Sequence, residues 1–314
     1  MAARLFPADA ELDGLLTGPG SMAWRYTSDV RLYAAMLYPL LLQVAHPTVG
    51  AGVSDYSDFE RRPWDRLLRT IDYVSLLVYG GREAAPAGRR LRELHRGFRG
   101  TRPDGRRYHA LEPNAYAWVH ATLIDTYVAG QAMFGRPMGP EEVERFYAEY
   151  RGRGRLIGVR ERDLPPTWTG FRSYLDQMMT AELERTAAVD QVLGTIRRAP
   201  PPPLPIPDLF WRALRLPAGQ VLWLGGVGLM PGDLRRRLGI RWSAVDEGQF
   251  RALGALSRSL TPILPRRLRI TGPAQLRWRR EAIAQGPLGP QRTPGPLGPQ
   301  GTPGPLGPRR AHAA

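Results

Sequence analysis

The chain has 314 residues, with 44 basic against 29 acidic side chains and a formal net charge of +15. All the basic residues are arginine. Lysine and cysteine are both absent, which excludes disulfide frameworks, thiolate metal sites, iron–sulfur clusters, cysteine nucleophiles, Schiff-base chemistry and a phosphate-loop lysine. The positive balance suits nucleic acid or an anionic membrane, but an arginine-only chain rich in Ala, Gly and Pro also follows from a GC-rich genome.

The opening stretch MAARLFPADAELDG has one arginine followed by acids and lacks the apolar core of a signal peptide. The most apolar run, LYAAMLYPLLLQVA, is interrupted by Pro39 and is too short to span about 30 Å of hydrocarbon. A cytoplasmic protein is expected, with peripheral membrane contact left open. Helical periodicity then dominates. Ser28 or Asp29 is placed to cap a helix running to about Ala45, and TVGAGVSDYSDFERR reads as a loop. A helix near 63–79 follows, stopped by Gly80 and Gly81. Further helices are expected from about Ala87 to Arg99, near 114–134, near 140–151, and from a cap at Thr169 to about Val189. TRPDGRRYHALEP and GRGRLIGVRERDLPP read as irregular connections, and RRAPPPPLPIP as a stiff polyproline-like crossing. Helical patterns resume over 208–270, so the expected class is all-α.

Residues 1–20 read as an N-terminal extension and 21–284 as one helical domain. The rest, 285–314, holds three nonapeptide units, GPLGPQRTP, GPLGPQGTP and GPLGPRRAH. Glycine does not recur at every third position, so collagen is excluded, and disorder is expected of this Pro/Gly-rich tail.

The helix near 63–79, with RPWDRLLRTIDYVSLLVYG around it, poses the functional question. At 100° per residue, Trp64, Leu67, Leu68, Ile71, Val74 and Val78 fall on one face. Arg66, Thr70, Tyr73 and Leu77 make a second stripe roughly opposite, with Arg69 beside it. Apolar residues mixed into that stripe point to a partly dry cavity, where a guanidinium needs an anionic partner. Asp58, Glu60 or Asp72 would serve, and so would a bound anion such as a carboxylate or propionate.

Of the five histidines, His312 lies in the tail. His95 stands at the edge of the apolar stripe of its helix, as a satisfied boundary residue or as a single axial ligand. His120 shares an otherwise apolar helix with Thr122 and Asp125, where these groups can bond to each other or to nearby backbone. His46 precedes Pro47 at a helix end, within reach of free carbonyls. No HExxH, GxGxxG, GxSxG or phosphate-loop pattern is present. QLRWRRE and RGRGR are arginine-rich patches without a reader module, so nucleic acid is not the expected partner.

Taken in order, LLLQVAHPTVGAGVSDYSDFERRPWDRLLRT, LHRGFRG, YHALEPNAYAWVHATLIDTY and GFRSYLDQMM resemble the MpaB-type oxygenase family, which shares its core domain with the latex clearing proteins. The resemblance covers about 20–270 and is most specific over 30–130. It implies a globin-like helical domain that binds haem b and uses O2, and an apolar, prenyl-type substrate whose double bonds are cleaved or oxygenated. It implies His95 as the proximal iron ligand, with His120 and His46 as further cofactor contacts. Arg66, Arg69 and Thr70, in RLLRT, match an Arg-x-x-Lys-Thr motif on the distal side. The match implies that Arg66 holds a propionate or polarises oxygen and that Thr70 donates a hydrogen bond to it. Arg69 replaces the family's lysine, and a guanidinium is a poor iron ligand, so an open or water-bound distal position is expected. No position matches the family's proposed catalytic glutamate. Two other readings are a non-catalytic haem or ligand-binding sensor, and a basic helical module binding nucleic acid or anionic lipid.

Overall fold

The computed structural model describes residues 5–270, apart from 19, 199 and 203–206. The nonapeptide repeats, QLRWRRE and part of the proline-rich crossing lie outside the described residues. The class is all-α, as expected, with one small hairpin added.

Short helices α1 (Asp9–Leu15) and α2 (Met22–Thr27) come first. The Asp29 carboxylate accepts the Arg31 amide and opens a 3-10 stretch, Val30–Ala35, before α3 (Leu37–Ala45). The single helix expected here is therefore two pieces. Pro39 has no N–H to give to an upstream carbonyl, so it is best tolerated in a first turn, which is where the break at Met36 puts it. Next comes α4 (Pro47–Tyr56), in a stretch whose Gly, Ser and Asp residues read as loop. Pro47 starts it at N1. Gly50 is required there, because a Cβ would lie 2.5 Å from the Val44 carbonyl oxygen.

α5 (Pro63–Tyr79) has the expected bounds. α6 (Ala84–Arg96) begins and ends three residues earlier than expected. Its buried side is Ala84, Ala85, Ala87 and Gly88, small enough for backbone contact with the turn at 155–157. A Cβ on Gly88 would sit 1.9 Å from the Leu156 carbonyl oxygen. The turn-rich stretch that follows contains antiparallel strands β1 (Arg99–Thr101) and β2 (Arg107–His109), paired Arg99 to His109 and turned at Gly105, where φ is +82°.

α7 (Pro113–Phe134) is apolar nearly all round and central, packing on α3, on the 30–35 stretch and on α8 (Pro140–Gly154). Trp118, Phe146, Phe171, Leu41 and Leu42 are wholly buried in this core, each worth roughly 1.5–3 kcal/mol against exposure. Thr167, not Thr169, caps α9 (Trp168–Ala181) by accepting the Gly170 amide. The chain then leaves helix instead of running on to Val189. Glu184 N–H donates to the Ala45 carbonyl and Thr186 Oγ1 to the Val44 carbonyl, satisfying the open end of α3. α10 (Ala187–Arg198), α11 (Asp208–Gly228), α12 (Gly232–Arg237), α13 (Ala244–Leu260) and α14 (Arg266–Arg269) complete the fold. α11 and α13 lie against each other, and α11 also packs on α3.

A candidate oxygenase site on helix five

A cavity of about 320 Å³ opens between the 30–35 stretch, α3, α5, α10 and α11. Its walls are mainly apolar: Leu37 and Leu40 of α3, Leu67, Ile71 and Val74 of α5, Val192 of α10 and Leu222 of α11. Arg66 and Thr70 also line it. The two stripes of α5 thus serve one cavity. The first stripe forms the wall, Arg66 and Thr70 stand at its margin, and Leu68 is turned out to solvent. Leu76, Leu77, Tyr73 and Trp118 are not on the cavity. Trp118 is core, with its indole N–H donating to the Leu42 carbonyl. A wider and more polar cleft of about 750 Å³, between α2 and residues 261–270, contains none of the expected site residues.

Arg66 is half-buried and short of partners. Its guanidinium donates to Ser57 Oγ and stands 6.0 Å from the centre of the Phe59 ring. Among the described residues no carboxylate lies within ion-pair distance of it, and Asp58 pairs with Arg61 and Arg62 instead. Burial first, and then the charge of Arg69, hold its pKa below the usual guanidinium range. A local salt bridge is one of two explanations for this arginine, and no described carboxylate supplies it. Arg69 itself is exposed and absent from the cavity wall. Thr70 Oγ1 donates to the Arg66 carbonyl at 3.0 Å. Its proton is committed to the helix, so toward the cavity it offers lone pairs, where a donor was expected.

His95, on α6, is near enough to Arg66 for that cation to lower its pKa, after the larger effect of burial. Its Nδ1 lies 2.7 Å from the Leu91 carbonyl, which can only accept, so Nδ1 carries the proton. Nε2 is then the basic nitrogen, and no described group bonds it. A neutral imidazole anchored through Nδ1 with Nε2 free is the arrangement a single axial ligand needs. Phe98 and Tyr116 flank the ring edge-on at 5.3 and 6.2 Å. His95 does not itself line the cavity. Its link to the cavity is Arg66.

The other two histidines stand apart. His120 is buried on α7, with Nε2 donating to the Tyr150 carbonyl at 2.8 Å and burial holding its pKa at about 4. The backbone alternative holds for His120 and for Thr122, which donates to the Val119 carbonyl, while Asp125 bonds Tyr38 and Arg172. His46 is buried at the α3–α4 junction, and neither ring nitrogen has a hydrogen-bond partner. The carbonyls expected to meet it are taken by Thr186 and Glu184. Burial, with the Arg102 charge second, puts its pKa at about 4. Among the described residues no three acidic or histidine side chains gather as a metal cluster. Sequence reasoning also missed Arg153, which is 2% exposed and bonded to Thr17 Oγ1 and the Leu77 carbonyl. Its place in the GRGRLIG run gave no signal of burial.

Residues 24–259 match the family described as ER-bound oxygenase mpaB/B'/Rubber oxygenase, catalytic domain. The chain belongs to this family. The mpaB/rubber-oxygenase domain therefore takes in every element from α2 to nearly the end of α13, including α5 and the cavity. The uncharacterized proteins Mb2261 of Mycobacterium bovis and Rv2237 of Mycobacterium tuberculosis are each 24% identical over 240 residues, 74% of this chain and 91% of theirs. No solved structure gives a significant match. As a member of an oxygenase family, the chain is an oxidoreductase by descent, with a mainly apolar cavity suited to an apolar small molecule. No helix among the described residues is long and apolar enough to cross a membrane.

Proposed function

We propose that this chain is a haem b-dependent oxygenase of an apolar, prenyl-type substrate, using O2 and working in the cytoplasm or at a membrane surface. The observation that carries the reading is the pairing of two unsatisfied groups, the free Nε2 of His95 and the uncompensated Arg66, beside a mainly apolar cavity. Both fit haem chemically: a neutral imidazole for the iron and a cation for a propionate. Haem, when bound, supplies the O2 chemistry. His95 would hold the metal through Nε2, with the Leu91 carbonyl fixing its tautomer. Arg66 binds the anionic edge or a polarised oxygen, and Ser57 orients it. Thr70 accepts a hydrogen bond at the cavity margin. Arg69 acts through charge alone, by raising the cost of leaving Arg66 unpaired. His120 is assigned no contact with the iron, because it spends Nε2 on a carbonyl, while His46, with neither ring nitrogen bonded, is kept as a second cofactor contact. Apolar walls exclude water and hold a hydrocarbon chain without directing it by hydrogen bonds.

The test is an absorbance spectrum of protein purified from haem-supplied cells, with and without dithionite and carbon monoxide. A Soret band is expected in the parent chain, and its loss or shift in His95→Ala. No haem uptake by the parent would remove the haem reading, and an unchanged spectrum in His95→Ala would remove the ligand assignment. Oxygen consumption with a prenyl compound separates an enzyme from a haem sensor.

A further inference from the structure

Helix α11 is one wall of the cavity and also part of the outer surface. Trp211, Arg215, Ala218 and Leu222 look inward. At 100° per residue the opposite face carries Leu209, Phe210, Ala213, Leu216, Pro217 and Gln220. All six are exposed, with Leu209 81%, Phe210 62% and Leu216 67% accessible. A water-facing helix side ordinarily carries charge, and this one has none. After Asp208 the helix has no acidic residue at all, while Arg212 flanks the apolar face. Trp64 of α5 meets Trp211 edge-on at 5.9 Å, so the start of α5, with Arg61 and Arg62 sharing the Asp58 carboxylate, lies at the same end of α11.

An apolar ridge edged by arginines, on a helix that does not span a bilayer, is the pattern of an interfacial helix. A protein partner would find no hydrogen-bonding side chain but Gln220 on the ridge, whereas acyl chains ask for none. The arginines are the complement of anionic headgroups. We infer that the outer face of α11 docks onto an anionic lipid surface, with Leu209, Phe210 and Leu216 entering the acyl boundary and Arg212 meeting the phosphates. The ridge is one helix thick from surface to cavity, so a lipophilic molecule leaving the bilayer beside α11 reaches the cavity without crossing water. As a delivery route this rests on the oxygenase reading. As a binding surface it does not.

The experiment is co-sedimentation of the full chain with phosphatidylcholine vesicles, with and without about 30% phosphatidylserine. The parent is expected to bind the anionic vesicles and to weaken with salt. Leu209→Ser/Phe210→Ser/Leu216→Ser together should lower the partition coefficient at least about ten-fold, with an unchanged circular-dichroism melt. Should the triple variant fold poorly, Leu209→Ser alone, at the most exposed position, should still lose about three-fold. No binding by the parent, or equal binding by a folded variant, would overturn the inference. So would a parent dimer in light scattering that the substitutions dissociate, since the ridge would then be a contact between copies. Vesicle binding and the Soret band are read separately, so failure of one leaves the other standing.

Discussion

Two charged groups in this molecule make opposite use of burial. Asp125, in the middle of α7, is enclosed. Its Oδ2 accepts from the Tyr38 hydroxyl at 2.6 Å and its Oδ1 from Arg172 Nη1 at 3.0 Å. Burial raises its pKa, and those two bonds oppose the rise. Arg66, on α5, has a serine hydroxyl and an aromatic ring nearby but no acid. The Asp125 cluster is closed and ties α7 to α3 and α9, which is what structural polar groups do. Arg66 is open, with no described acid to offset its burial. The difference separates a charge answered within the fold from one that is not, which is what the proposed anion site needs.

The broadest trial of this contrast is acid. His120 is bonded and His46 is not, yet burial lowers both to about 4, against about 6.5 in an unfolded chain. Unfolding takes up protons below that value, so each histidine's contribution is whole above about pH 6.5 and declines as pH falls toward 4. The loss is about 3 kcal/mol for each by pH 4. Urea unfolding at several pH values should show this fall, and replacing either histidine with Gln should reduce the slope. A slope that neither substitution alters would show that these rings are solvated.

Next in size is Asp125→Ala. It leaves the Tyr38 hydroxyl without its acceptor and should cost about 3 kcal/mol. A loss under about 1 kcal/mol would mean that the cluster is not closed. The smallest expected change sharpens the contrast most. Arg66→Gln should alter apo-protein stability by no more than about 0.5 kcal/mol, in either direction, since no ion pair is lost. The same substitution should weaken haem retention on a desalting column. A large loss of apo-protein stability would instead make Arg66 a structural residue like Asp125.

Local sequence determined most of the helices. α5 and α7 follow from apolar spacing, a proline at N1 and a glycine beyond the end, and α8 from its spacing and its N1 proline, all of which act within one or two turns. It also put Arg66 and Thr70 near one another on α5, and the ordered motifs pointed to the oxygenase family. The existence of α4 was hidden, because its Gly, Ser and Asp residues read as loop, whereas Gly50 is there to let the helix pass close to the Val44 carbonyl. The break between α9 and α10 was hidden for a related reason: Glu184 and Thr186 answer carbonyls of α3 some 140 residues away in sequence. The same distance rule governs the site. A helical wheel gives the direction of Arg66 but not whether an acid faces it, and it cannot show that His95 spends Nδ1 on Leu91. Tertiary structure decided which polar groups are paired, because a hydrogen bond or an ion pair is a property of two places in space, and the sequence writes them far apart.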